Sequence, residues 1–271
     1  MAKSTRIFLI LALLGLAAFV FAHYRATTNL GAPARISGWT LLGSCVFLFL
    51  YNTRKKLPAP PLGTSRQWLN LHLIVGVLAL VFFLFHINFR VPNGAFEVIL
   101  GLVFLFIFLS GVLGIGISRG FARRLRTHGQ EVVYEQIPVL RKGLAERADS
   151  IMLESTESNK STVVMDYYTA TLRPFFKKPM HYWAHLFDSR RPLAQLQHGI
   201  QDLRRYTDDS ENEYLNQLEE LVEIKNGLDY HYALQRTLKA WLFLHIPLSL
   251  ALLILTALHL ILVLSFNGGA S

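Results

Sequence analysis

The sequence of 271 residues contains one cysteine, Cys45, set inside an apolar run. A single thiol excludes an intrachain disulfide, an iron–sulfur cluster held by several cysteines, and the Cys-x-x-Cys-His attachment of a c-type haem. Charge is also scarce: 17% of the residues are charged against 52% in the hydrophobic set, and mean hydropathy is +0.34. A soluble domain carries about 25% charged residues, because each of its elements needs a solvated face. No glycine-rich dinucleotide fingerprint and no phosphate-binding loop occurs, so flavin or nicotinamide chemistry has to come from a partner.

The apolar residues are gathered into five blocks: Ile7 to His23, Ile36 to Asn52, Trp68 to Phe89, Phe96 to Ile117 and Leu238 to Phe266. Each is near or above the length of about 20 residues that crosses a bilayer as a helix. The net charge of +9 lies beside these blocks, which points to an anionic lipid leaflet and away from nucleic acid. The expected fold is an all-α membrane protein with five transmembrane helices: one over 1–24, three over 36–117 and a fifth over 238–266. Residues 118–237 form a mostly helical insertion.

Basic residues set the expected orientation. Lys3 and Arg6 precede the first block; Arg54, Lys55, Lys56 and Arg66 follow the second; Arg119, Arg123, Arg124 and Arg126 follow the fourth. The opposite loops hold only Arg25, Arg35 and Arg90. By the positive-inside rule the amino terminus and the insertion are cytoplasmic, in a membrane of the bacterial inner type, with 267–271 outside. Val20-Phe21-Ala22 has the pattern of a signal-peptidase site, but a retained first helix is expected. His23, Tyr24 and Tyr51 fall at membrane edges, where aromatic belts are common.

The third block contains His72 and His86, the fifth His245 and His259, and thirteen residues separate the members of each pair. Fourteen steps of about 100° return to within roughly 40° of the starting face, about 21 Å along the axis. Each helix therefore presents one imidazole near each membrane surface. The two helices run in the same direction, so His72 faces His245 on the cytoplasmic side and His86 faces His259 on the outer side. Two opposed imidazoles in a helix bundle are what a six-coordinate haem iron requires. Isolated membrane histidines usually serve packing, but four at matched depth and equal spacing predict two haem b groups bound in a four-helix dihaem bundle.

A porphyrin plate needs room between helices. Gly38, Gly43, Gly76, Gly101, Gly111, Gly114 and Gly116 are candidates to supply it, ordinary small-residue helix packing being the alternative. Arg66, Arg90, Arg119 and Lys239 at the membrane edges are candidate partners of haem propionates.

Phe243-Leu-His245-Ile-Pro247 through Ala257-Leu-His259-Leu resembles the fourth helix of the haem-binding core of cytochrome b from cytochrome bc complexes. Trp68 to Phe89 is similar to its second helix, and Glu97-x-x-x-Gly101 through Gly114 to its third. The resemblance covers residues 36–117 and 238–266. It implies a haem bundle built from the second to fifth blocks, with His72, His86, His245 and His259 as axial ligands. No Pro-Glu-Trp-Tyr segment accompanies it, the polar insertion replaces a shorter connection, and the orientation is reversed by the extra first helix. The membrane-anchor cytochromes of formate dehydrogenases and hydrogenases offer a similar functional picture, with ligands drawn from more helices.

Within the insertion, Pro192 to Tyr206 is amphipathic, with Leu193, Leu196, Ile200 and Leu203 on one face. Ser210-x-x-Glu213 has the form of a capping box, and Leu215, Leu218, Leu221 and Val222 continue an apolar stripe toward the fifth block. A helical hairpin is expected, serving as a docking surface. Ser155 to Thr162 reads as a loop and Thr162 to Tyr168 as a short strand. His181 and His185 have metal-pair spacing but no acidic or cysteine partner, and read as surface histidines.

The expected function is transmembrane electron transfer between the quinone pool and partner redox subunits: a c-type cytochrome, an iron–sulfur protein or a flavoprotein. A stand-alone transmembrane reductase and a non-redox sensor or scaffold are the alternatives.

Overall fold

The computed structural model describes residues 3–29, 32–54, 64–127, 132–158 and 162–267. Five helices are long and apolar enough to cross a membrane: α1 (Lys3–Thr28), α2 (Pro33–Arg54), α3 (Ser65–His86), α4 (Ala95–Thr127) and α10 (Asp209–Asn267). Between α4 and α10 come α5 (Ile137–Ser158), α6 (Thr162–Tyr167), α7 (Arg173–Lys177), α8 (Tyr182–Leu186) and α9 (Arg191–Leu203). No strand occurs among the described residues.

Local chemistry explains the boundaries. Pro33 begins α2, where its missing N–H costs nothing. Thr64 and Gln67 form a reciprocal capping box at the start of α3: Gln67 N donates to the Thr64 hydroxyl at 3.3 Å, and Thr64 N donates to the Gln67 side chain at 2.8 Å. Asn88 and Phe89 take left-handed backbone conformations just after His86 and end that helix.

Contacts divide the chain into two compact units, 1–113 with 242–271, and 114–241, so that α4 and α10 each contribute to both. In the first unit a small apolar core joins Cys45, Ala79, Phe83, Phe104 and Leu252, with the Phe83 and Phe104 rings stacked 4.5 Å apart. Most other large side chains of this unit point outward and are apolar, as expected of helices solvated by hydrocarbon.

The second unit has its own buried apolar core. Ile151, Val164, Leu172, Phe175, Phe176, Ile200, Leu215, Leu218 and Val222 form one sealed core. The expected amphipathic face of α9 is present, with Leu196, Ile200 and Leu203 buried. Lys225 and Asp229, one turn apart on α10, are completely buried as an ion pair at 2.5 Å. Lys225 also donates to the Lys178 carbonyl at 2.7 Å, and Asp229 accepts from Met180 N at 3.0 Å, fastening the 178–180 strap to α10. Burial pushes the Lys225 ammonium down to about 8 and the Asp229 carboxyl up, each opposed by the other's charge.

Four expectations for this unit are corrected. Residues 162–172 are α6 and a π turn (Tyr168–Leu172) instead of a strand, because Val164, Tyr168 and Leu172 recur every four residues and bury one helical face. The expected loop from Ser155 is helical as far as Ser158, since Met152 and Ser155 lie buried on the same run; 159–161 fall outside the described residues. The capping box of α10 is Asp208 with Glu211, not Ser210 with Glu213. Glu211 N donates to the Asp208 carboxylate at 2.8 Å, Asp208 N donates to Glu211 at 3.2 Å, and the Ser210 hydroxyl is turned onto Asp208. His185 is buried in α8 rather than exposed, while His181 precedes that helix in a left-handed conformation. The expected continuity of α10 holds: one helix of 59 residues runs from Asp209 to Asn267.

Candidate functional site

The four histidines all lie in the first unit, two on α3 and two on α10. Midway between the members of each pair stand Ala79 and Leu252, seven residues from either histidine, and both are buried. An apolar layer of Ala79, Leu252, Phe83, Phe104 and Cys45 therefore separates two histidine levels.

At the level of His86 and His259, the two rings meet in an edge contact, with centroids 6.3 Å apart and planes perpendicular. Two metal–nitrogen bonds of about 2 Å plus the half-width of each imidazole span roughly the same distance. His86 is oriented from behind by α2: the Ser37 hydroxyl lies 3.3 Å from its Nδ1. The same hydroxyl lies 3.2 Å from each of the Pro33 and Ala34 carbonyls, either of which takes its single proton when Nδ1 carries the ring proton. In that tautomer the lone pair of His86 is on Nε2. Gly38 lets the ring approach; a Cβ there would sit 3.1 Å from His86 Cε1. His259 is flanked by the Phe96 ring at 6.2 Å.

At the other level the roles of the helices exchange. The Ser110 hydroxyl of α4 lies 3.2 Å from Nδ1 of His245, and a Cβ on Gly111 would lie 3.7 Å from His245 Cε1. His72, within electrostatic reach of His245, is flanked by the Tyr51 ring at 5.0 Å. Its Nδ1 is buried without a hydrogen-bond partner, an uncommon state for an imidazole inside a protein. Each level thus pairs one imidazole anchored on a serine with one flanked by an aromatic ring.

Ser37 and Ser110 carry no motif that marks them in the sequence as histidine partners. A signal was nevertheless available, because the chain's two Ser-Gly dipeptides, Ser37-Gly38 and Ser110-Gly111, both interrupt apolar blocks.

The other candidate residues separate. A Cβ added to Gly76, one turn from His72, would meet nothing within 4 Å, so open space lies beside that turn of α3. Gly101 instead accommodates Phe83, whose Cζ would be 3.4 Å from a Cβ. Gly114 belongs to the second unit and packs under Trp241, where a Cβ would overlap the indole. Arg66, Arg90 and Arg119 are exposed and form no ion pair among the described residues. Lys239 is engaged in the second unit, paired with Glu135 and lying 4.0 Å over the Tyr134 ring.

No group of three or more His, Cys, Asp or Glu side chains able to hold a bare metal ion occurs among the described residues. A haem differs in this respect, since the porphyrin fills four positions and the protein need supply only two. The ring separation and the glycine cradles beside His86 and His245 fit that demand. No family model, curated protein or solved structure matches the chain.

Proposed function

We propose that the protein is an integral membrane dihaem cytochrome of b type that carries electrons between the two faces of a bilayer. The observation that carries this reading is the His86–His259 pair, with ring centroids 6.3 Å apart and the Ser37 hydroxyl 3.3 Å from the Nδ1 of His86. His86 and His259 would hold one haem iron through a nitrogen from each ring, and His72 with His245 the second. Haem b, when bound, supplies reversible one-electron chemistry. The protein's own part is to fix the ring nitrogens, hold the two levels apart and keep water out between them. Ser37 and Ser110, as hydrogen-bond partners of the ligating rings, would tune their basicity. The layer around Phe83, Phe104 and Leu252 would exclude water midway.

On this reading the basic flanks of α2 and α4 put the amino terminus and the second unit on the cytoplasmic side of a bacterial inner membrane. Quinone is a candidate electron donor or acceptor, and partner redox subunits would meet the second unit. The test is a reduced-minus-oxidised spectrum of protein purified from membranes, with haem extracted and counted. A b-type band at two haems per chain is the expected result. A purified, folded chain without such a band would leave the alternative of a non-redox scaffold.

A further inference from the structure

We infer that α8 is a lipid-headgroup anchor, seating the second unit on the anionic leaflet of the same membrane that its long helices cross. This goes beyond electron transfer and does not depend on it. The helix has only five residues, yet it is tightly fixed. Its inner side chains, Tyr182 and Leu186, pack with Phe121 and Leu125 against Tyr230, Ala233 and Leu234. Arg124 holds its end, donating to the carbonyls of His185 and Leu186, and to the Tyr230 hydroxyl at 2.8 Å. His181 and Asp188, on either side of α8, both have φ of 57°, left-handed conformations that bound the helix.

What this construction presents outward is apolar. Trp183 and Phe187, one turn apart, are 68% and 79% exposed, with Met180 beside them in sequence. Around them in sequence Lys177, Lys178, Arg190 and Arg191 are all exposed, whereas the one acidic neighbour, Asp188, is turned onto Arg124 at 3.4 Å. Depth is set by α10: the Tyr182 hydroxyl meets Thr237 Oγ1 at 2.6 Å, one residue before the apolar block that begins at Leu238. Tyr182, and with it α8, is therefore fastened beside the start of that apolar block.

An exposed tryptophan with basic residues on both sides in sequence, next to the start of an apolar block, matches the interfacial layer, where an indole is partly desolvated and Lys and Arg meet lipid phosphates. Three outward apolar side chains are few for a specific protein interface, which buries about 800 Å² on each partner.

The test uses the full chain in nanodiscs containing phosphatidylglycerol, with a nitroxide label on Trp183→Cys or Phe187→Cys and, as a reference, on Tyr206→Cys at an exposed site beyond α9. Buried Cys45 is the only native thiol, and the unsubstituted chain taken through the same labelling gives the blank. The ratio of collisions with oxygen to collisions with a water-soluble nickel chelate is expected to be several-fold higher at 183 and 187 than at 206. Equal ratios at all three sites would overturn the anchor, as would exclusion of both colliders at 183 and 187, which signals a covering protein. If a cysteine variant does not fold, lipid-borne quenchers applied to the native chain and to Trp183→Phe give the same answer. The Trp183 part of the emission must be quenched from the lipid and not by aqueous iodide.

Discussion

In the first unit Leu13, Leu102, Leu109 and Ile261 point outward at 58% exposure or more, whereas in the second Ile137, Ile151, Ile200, Leu215 and Leu218 are sealed at 1% or less. The same residue types thus face opposite ways along one chain. Polar groups invert as well. Inside the first unit they are few and gathered on the histidines, with Ser37 on His86 and Ser110 on His245. Inside the second, the largest buried polar pair, Lys225 with Asp229, fastens a strap of backbone.

Lys225→Met gives the largest expected effect. It leaves the Asp229 carboxylate buried without its partner and should destabilise the second unit by about 3–5 kcal/mol. Denaturant unfolding followed by a probe in that unit measures it, and adding Asp229→Leu should recover most of the loss. The next comparison uses one chemistry at two exposed sites. Leu109→Arg, near the middle of the α4 apolar run, should cost about 3 kcal/mol of insertion and reduce the membrane-integrated yield. Val139→Arg, even more exposed but in the second unit, should stay within about 0.5 kcal/mol. If the two behave alike, the outward leucines of the first unit are not facing lipid.

Packing tolerance gives a smaller contrast. Gly199→Ala drives a Cβ into the Tyr167 hydroxyl and should cost about 1–3 kcal/mol, read as a lower thermal midpoint. Gly15→Ala on α1 meets nothing within 4 Å and should be silent. Smallest of all should be Ser37→Ala. With the hydrogen bond from His86 removed, haem content should remain unchanged, while a redox titration shows the potential of the outer haem raised and that of the inner haem unmoved.

Much of the architecture was legible because hydrophobic length and helical period are local properties. The five apolar blocks became α1 to α4 and the carboxyl-terminal part of α10, and Leu196, Ile200 and Leu203 lie where their spacing places them. The misreadings arose where partners distant in sequence decide. Val163 and Val164 favour a strand locally, yet Val164 packs with Ile151 and Ile200 in a helical core. At Gly114, a candidate for haem room, the neighbour is Trp241, 127 positions later in the sequence. The histidine levels were readable from equal spacing alone, whereas the serines behind them depend on which helix lies behind which ring.

The proposed haem sites require the imidazoles to act as two couples, His72 with His245 and His86 with His259. Haem counted per chain in the four single variants His72→Ala, His86→Ala, His245→Ala and His259→Ala tests it most directly. The first and third should each lose one haem and keep the other, and the second and fourth should lose the complementary one, distinguished by band position. Loss patterns that couple His72 with His86, or two haems retained in any variant, would contradict it.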